Sequence, residues 1–411
     1  MIKNKRIYFV FVVMSIFTVI LFYNIAIADN AIANDNNIVT RDLGEISLLE
    51  NLSLAGWPIL LHGNIILFDS YSEENGQQFF GKYNANTGES IILGSIDGGL
   101  MTFGRPSLNN SIAYYTIAVF NSGLHLFAID LENGGVESVF SALNRYPLAT
   151  VSTTSEQVYL FSNGKSEEGL ELSLIERYNE NTKELETIIL KELIDTVDPN
   201  IYVPRGGEAQ GEGERIKAFA TSNGKLYLMT ERHHDGRADV YIEIYDSGGD
   251  NILGRLEFSD EIKSPSDSRR PMPVDSSNSI AQFQMLGDSH LYIQNMSGVS
   301  IVARISNGMV EPIFIDYELY LAYNAKNTQE RYYFFDSHIE KRFSILDIEE
   351  DTFAWGTLPL QEHESFSLFS HIVTDGDNLV VAAVSGSVEN PFESSEVYMI
   401  SYEFLLNLIQ N

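Results

Sequence analysis

The chain has 411 residues, no cysteine and a formal net charge of −31. Disulfides, thiol nucleophiles, thiolate zinc sites and a lipidated N-terminal cysteine are therefore excluded. So negative a chain repels phosphates, which argues against nucleic acid or an anionic lipid surface as a nonspecific partner.

At the N-terminus Lys3, Lys5 and Arg6 precede an almost unbroken apolar run from Ile7 to Phe22. Small residues follow at Ala26-Ile27-Ala28, with Ala31-Ile32-Ala33 as a second such site, and signal peptidase cuts at this pattern. Residues 1–28 thus read as a signal peptide, or as a membrane anchor if the apolar run stays uncut to Ile27. In both cases the body is expected outside the cytoplasm, either secreted or held at the cell surface or in a periplasm. Residues 29–42 read as a linker and 43–411 as one domain.

Within 43–411 a pair of short strand patterns recurs seven times. The first runs are 64–70, 111–117, 156–162, 224–230, 288–295, 331–336 and 377–384. The second runs are 78–83, 124–130, 171–178, 239–245, 299–305, 342–348 and 396–404. A third apolar run follows several of these after an Asn, Asp or Gly turn, as at Ser90–Leu93, Val136–Phe140 and Leu185–Leu190. Another short apolar stretch precedes several first runs, as at Lys217–Ala220 or His371–Thr374. Each unit therefore reads as four antiparallel strands. Most units recur at steps of 43 to 47 residues, with longer steps of 64 and 68 where insertions fall. That spacing predicts an all-β fold, a seven-bladed β-propeller of four-stranded antiparallel blades. Tandem β-sandwiches are the alternative. Helical periodicity is confined to Glu192–Val197.

The last unit is short of a fourth strand, while Leu43–Leu49 is strand-like and has no unit of its own. Residues 43–50 are therefore expected to complete the last blade and close the ring, removing an exposed edge. Runs such as Leu124-His125-Leu126-Phe127-Ala128-Ile129-Asp130-Leu131-Glu132-Asn133-Gly134-Gly135, a strand ending in Asp that meets a Gly turn, resemble bacterial exported β-propellers of the broad TolB-like and quinoprotein-like kind. No functional residue is carried over from that resemblance. Trp57 and Trp355 are not followed by Asp, so the tryptophan–aspartate repeat is not the pattern.

The long connections gather at one end of the predicted blades: 71–77, 163–169, 231–238 and 385–395 within units, and 191–214 and 259–279 between them. Such a rim is where binding or catalysis is expected. Eleven of the 26 Lys and Arg fall between Lys191 and Asn278. Arg205, Arg232, Arg237, Arg269 and Arg270, with His233 and His234, are the candidate binding residues, since an arginine fork fits a carboxylate. Solvated charge balancing nearby Asp and Glu is the plainer account of the same residues.

Other motifs are weaker. His233-His234-Asp235 with Asp239 has metal-ligand chemistry, but adjacent strand residues face opposite ways, so one ion takes both histidines only in a loop. Gly287-Asp288-Ser289-His290 looks like an esterase nucleophile block yet occupies a hairpin position used in other units, and its triad partners do not follow from spacing. Asp246, Asp250 and Glu257 fit part of a calcium loop, but Gly248 and Asn251 fall where a ligand and the turn glycine belong. The Gly206–Glu214 run is too acidic to cradle phosphate. No metal site and no cofactor is expected.

The leading expectation is a monomeric, exported, non-catalytic propeller binding a protein or an anionic glycan or peptide at the loop-rich face. One alternative is a propeller hydrolase or lyase acting on an anionic glycan or peptide, with His233 or His234 as acid, base or metal ligand, which requires residues of different blades to converge. A membrane-tethered sensor or assembly factor is the other, and membrane contact is expected only if the N-terminal segment stays uncut.

Overall fold

The computed structural model describes residues 46–49, 52, 56–72, 77–97, 100–101, 105–119, 123–142, 150–153, 157–166, 170–194, 212–235, 237–263, 280–295, 298–317, 319–324, 330–337, 342–358, 366–385 and 394–410. The expected signal or anchor and the linker lie outside the described residues. Among the described residues no helix is long and apolar enough to cross a membrane.

The fold is all-β and built of meanders. β1 (Ile46–Leu48) comes first. β2 (Trp57–His62), β3 (Ile65–Ser72), β4 (Gln77–Asn84) and β5 (Glu89–Asp97) form the next sheet. Then come β6 (Leu100–Met101), β7 (Ser107–Asn109), β8 (Ile112–Val119), β9 (Gly123–Asp130) and β10 (Val136–Ala142). β11 (Thr150–Thr153), β12 (Val158–Lys165), β13 (Glu171–Asn179) and β14 (Glu184–Ile194) precede β15 (Glu212–Ser222), β16 (Lys225–His234), β17 (Arg237–Asp246) and β18 (Ile252–Phe258). After the short helix α1 (Asp260–Lys263) run β19 (Ile280–Leu286), β20 (His290–Asn295), β21 (Val299–Ser306) and β22 (Met309–Tyr317). β23 (Leu319–Leu321), β24 (Tyr323–Asn324), β25 (Tyr332–Ser337), β26 (Arg342–Asp347) and β27 (Thr352–Gly356) follow. The chain finishes with β28 (Phe366–Thr374), β29 (Asn378–Ser385), β30 (Ser394–Ser401) and helix α2 (Tyr402–Gln410).

Every predicted first and second run coincides with a strand, and the turns show why. At the end of the third strand an Asn or Asp folds back on the hairpin: Asn84 Oδ1 accepts from the amide of Asn86, Asp130 Oδ1 from Glu132, Asn179 Oδ1 from Asn181 and Asp347 Oδ1 from Glu349, at 2.9 to 3.0 Å. These side chains mimic a backbone turn and so fix where the strand stops. Asp246 does the same, accepting from the amide of Asp250 at 3.1 Å.

Contacts sort the chain into two compact units, Met1–Gly99 with Leu358–Leu405 and Leu100–Thr357 with Leu406–Asn411. In the first, β1 pairs antiparallel with β30, Ile46 opposite Ile400 and Leu48 opposite Tyr398. The amide of Leu49 continues the ladder to the Val397 carbonyl at 2.8 Å. Residues 46–49 thus supply the strand expected of segment 43–50. Leu49, Leu52, Trp57, Phe68, Val380 and Val397 share one buried cluster, each fully buried large side chain contributing about 1.5–3 kcal/mol.

In the second unit three meanders join into one sheet of twelve strands, where separate four-stranded blades were expected. The cause is strand length. β14 and β15 run 11 residues each, and their overhanging ends zip at Leu193 with Gly213 and Ile194 with Glu212. Gly213 suits that junction: its φ is +127°, and a Cβ there would lie 2.2 Å from the Glu192 carbonyl oxygen. A short parallel bridge, Glu257 with Met309 and Phe258 with Val310, adds β18 to β22. Along one edge, hydroxyls stitch the first strands of successive meanders. Ser107 Oγ is 2.9 Å from Thr153 Oγ1, Ser152 Oγ is 2.8 Å from Thr221 Oγ1, and Ser222 donates to the Gly287 carbonyl at 3.3 Å.

Two local expectations are corrected. Residues 192–194 of the supposed helical stretch are the end of β14, because β13 pairs with Glu192 and Leu193 and β15 with Leu193 and Ile194. The predicted strand 396–404 stops at Ser401, and α2 takes over, its apolar Tyr402, Leu405 and Ile409 spaced for one helical face.

Candidate active site at the ends of β15, β16 and β17

The connection expected as a loop over 231–238 is a tight hairpin. β16 runs on to His234, Asp235 turns with φ +49°, and Arg237 pairs back against His234. His233 and His234 therefore lie on opposite sheet faces, which removes the geometry that a shared metal ion requires. Among the described residues no cluster of three or more His, Asp or Glu is placed to hold a metal.

The register sets Gly213 opposite His233, Glu214 opposite Arg232 and Arg215 opposite Glu231. On one face Glu231 is fully buried among three nitrogen-bearing neighbours. Arg215 donates to Oε2 at 3.0 Å, Lys217 Nζ stands 3.4 Å away, and His233 Nε2 lies 2.6 Å from Oε1. A bulge between Ile216 and Ala218 shifts the register beside Lys217. Burial pushes the Glu231 carboxyl up, but Lys217 and Arg215 outweigh it and hold the group below its ordinary value, with His233 adding to the effect. When Nε2 carries the hydrogen that Glu231 accepts, the lone pair of His233 sits on Nδ1. That atom is buried and has no hydrogen-bond partner among the described residues. Arg215 also reaches toward Glu171 on β13 at 3.7 Å.

The other face carries a second ionic cluster. Lys191 of β14 is buried and places Nζ 2.6 Å from both Glu214 and Glu243. Tyr241 donates to Glu214 at 3.0 Å, and Thr230 and Tyr245 each donate to Glu243 at 3.2 Å. Burial works to raise the Glu214 carboxyl, yet the Lys191 contact and the Tyr241 hydrogen bond leave it lowered. Burial and these carboxylates raise the Tyr241 and Tyr245 phenols, so both stay protonated as donors. The Arg255 guanidinium lies over the Tyr241 ring at 3.4 Å.

Of the sequence candidates, Arg232 is exposed with its Nε 3.8 Å from Glu214. His233 is buried on Glu231, and His234 lies half-exposed with Nε2 3.2 Å from Asp239. Arg237 opens β17 beside His234. Arg205, Arg269 and Arg270 lie outside the described residues. Sequence reasoning gave no role to Glu231, Glu214, Glu243 or Glu171, and took Lys191, Arg215 and Lys217 only as members of the basic stretch from Lys191 to Asn278. One signal was readable: Arg215 and Lys217 stand two apart in a strand, as do Glu231 and His233, which places each pair on one face.

No protein-family model matches this sequence, and no curated protein matches it. Solved structures do. An oligogalacturonate lyase from Vibrio parahaemolyticus aligns over 90% of this chain and 96% of its own, with a TM-score of 0.52 and 13% identity. An oligogalacturonate lyase in complex with manganese aligns over 89% and 95%, at 0.50 and 12%. A polysaccharide lyase aligns over 84% and 90%, at 0.50 and 11%. At such identities the likeness shows the fold, a propeller type, in keeping with the broad resemblance read from the sequence. The expectation of a non-catalytic binder is corrected here. The three solved structures named above are lyases, and that likeness favours the catalytic alternative over a non-catalytic binder.

Proposed function

We propose that the protein is an exported lyase that cleaves an anionic glycan by β-elimination, with 43–411 folded as one seven-bladed ring that β1 closes. Elimination removes the proton next to a uronate carboxylate. The electron pair forms a carbon–carbon double bond as the glycosidic C–O bond breaks, and the leaving oxygen takes a proton. The step needs a base and positive charge beside the carboxylate. His233 is the base, accepting at Nδ1, and Glu231 orients its ring. Lys217 and Arg215 supply the positive field. Arg232 and Arg237, with Arg205, Arg269 and Arg270, gather the acidic chain. Because Nδ1 is enclosed by protein, substrate entry requires the tip at Asp235 to give way.

The observation that carries this reading is the 2.6 Å Glu231–His233 contact with Nδ1 left unpartnered. The test is incubation of the purified protein with polygalacturonate and other acidic glycans while the ultraviolet absorbance of unsaturated uronate is followed. His233→Ala is expected to slow product formation about 10²–10⁴-fold with the fold intact by circular dichroism. Absence of unsaturated product from every acidic glycan, or a wild-type rate in that variant, defeats the reading.

A further inference from the structure

Arg105 lies two residues before β7, and its guanidinium carbon stands 5.0 Å from the centre of the Tyr323 ring on β24. Tyr292 on β20 is near enough to act on it electrostatically. Residues before β7, on β20 and on β24, which belong to three different sheets, therefore converge on one guanidinium, the kind of meeting that the catalytic alternative requires.

What surrounds Arg105 leaves its charge unanswered. Tyr323 spends its hydroxyl on the Pro106 carbonyl at 2.6 Å, and Tyr292 spends its own on the Leu319 carbonyl at 2.5 Å. Burial raises both phenols, so neither supplies a negative charge. Burial also lowers the Arg105 pKa, the mark of a cation short of solvent. The aromatic ring engages one face of the guanidinium and leaves the in-plane N–H donors unspent. Among the described residues no carboxylate pairs with it, although the chain holds 57 Asp and Glu. A net charge of −31 repels an acidic glycan at a distance, so its capture depends on local cations such as this one.

We propose that Arg105 is the carboxylate anchor of the substrate: its fork receives one uronate carboxylate while Tyr323 backs the guanidinium as a platform. The planar fork suits two parallel hydrogen bonds to a carboxylate. This assignment rests on the lyase reading, but it is measured by binding rather than turnover.

The experiment is calorimetric titration of oligogalacturonate into the full chain and its Arg105→Met and Arg105→Lys variants, with neutral oligogalactose and inorganic phosphate as comparison ligands. Wild type is expected to bind oligogalacturonate and neither comparison ligand with similar strength. Arg105→Met is expected to bind about ten- to a hundredfold more weakly, and Arg105→Lys, which keeps the charge without the fork, in between. Should Arg105→Met fail to fold, Arg105→Lys decides. Equal affinity in the variants, a preference for phosphate, or no uronate binding in wild type overturns the anchor. Arg105-dependent binding without unsaturated product leaves the anchor standing and defeats the lyase. Unsaturated product with unchanged Arg105→Met kinetics does the reverse.

Discussion

The carboxylate of Asp351 meets the buried imidazole of His290, Oδ1 to Nε2 at 2.5 Å. Ser289 Oγ lies 2.8 Å from the other ring nitrogen, and Arg304 grips the second oxygen of Asp351 at 2.8 Å. Asp351, at φ +54° in the β26–β27 turn, is the partner that spacing around Gly287–His290 does not disclose. With both carboxylate oxygens engaged, the group clamps one hairpin turn to the next meander. Asp351→Ala is expected to cost about 1–3 kcal/mol by leaving the buried His290 donor unmet, read as a lower urea midpoint. Burial works to raise the Asp351 carboxyl, but His290 and Arg304 outweigh it, so its folded pKa is depressed. Stability from the clamp is therefore present above the ordinary carboxylate range and lost as pH falls through the folded value. Wild type and variant are expected to converge in strongly acidic buffer.

Asp69 shows the opposite sign. Burial raises its carboxyl from 3.8 to about 7 against the hydrogen bond that Gln78 donates at 2.7 Å. The folded chain holds this proton more tightly than the unfolded chain does, so the contribution is full below pH 3.8 and declines as pH rises toward 7. Asp69→Asn is expected to flatten that decline in a series of urea midpoints across the interval.

Lys191 neutralises Glu214 and Glu243 from a neighbouring meander. Lys191→Met is expected to destabilise by about 3 kcal/mol, since two carboxylates lose their buried cation. Adding Glu243→Gln is expected to restore part of the loss, and chemical denaturation of the single and double variants checks both.

Thr153 Oγ1 meets Ser107 and donates to the Leu108 carbonyl at 2.7 Å. Thr153→Val keeps the shape and removes both contacts. A loss of about 1–3 kcal/mol is expected, measurable as a drop in thermal midpoint, with Thr153→Ser losing less.

The strands were legible because each is marked twice, by alternating apolar residues and by a turn residue such as Asn84 or Asp130 that closes the hairpin. Edge contacts carried no such mark. The zipping of β14 to β15 depends on strand overhang and on Gly213, and no run of letters separates an overhang from a loop. Glu231 and Lys191 escaped notice because their importance comes from burial between strands far apart in the chain. Arg105 sits in an irregular stretch before β7, where no periodicity assigns a face. The α2 segment misled because Tyr402–Leu405 carries the same residue types as a strand and differs only in the residues that follow.

The β1–β30 ladder also bears on how the molecule is made. β1 and its hydrogen-bonding partner β30 are the first and last strands among the described residues. Leu49 and its neighbours must stay unpaired until β30 has been made, a topology of wide sequence separation that slows acquisition of the native state.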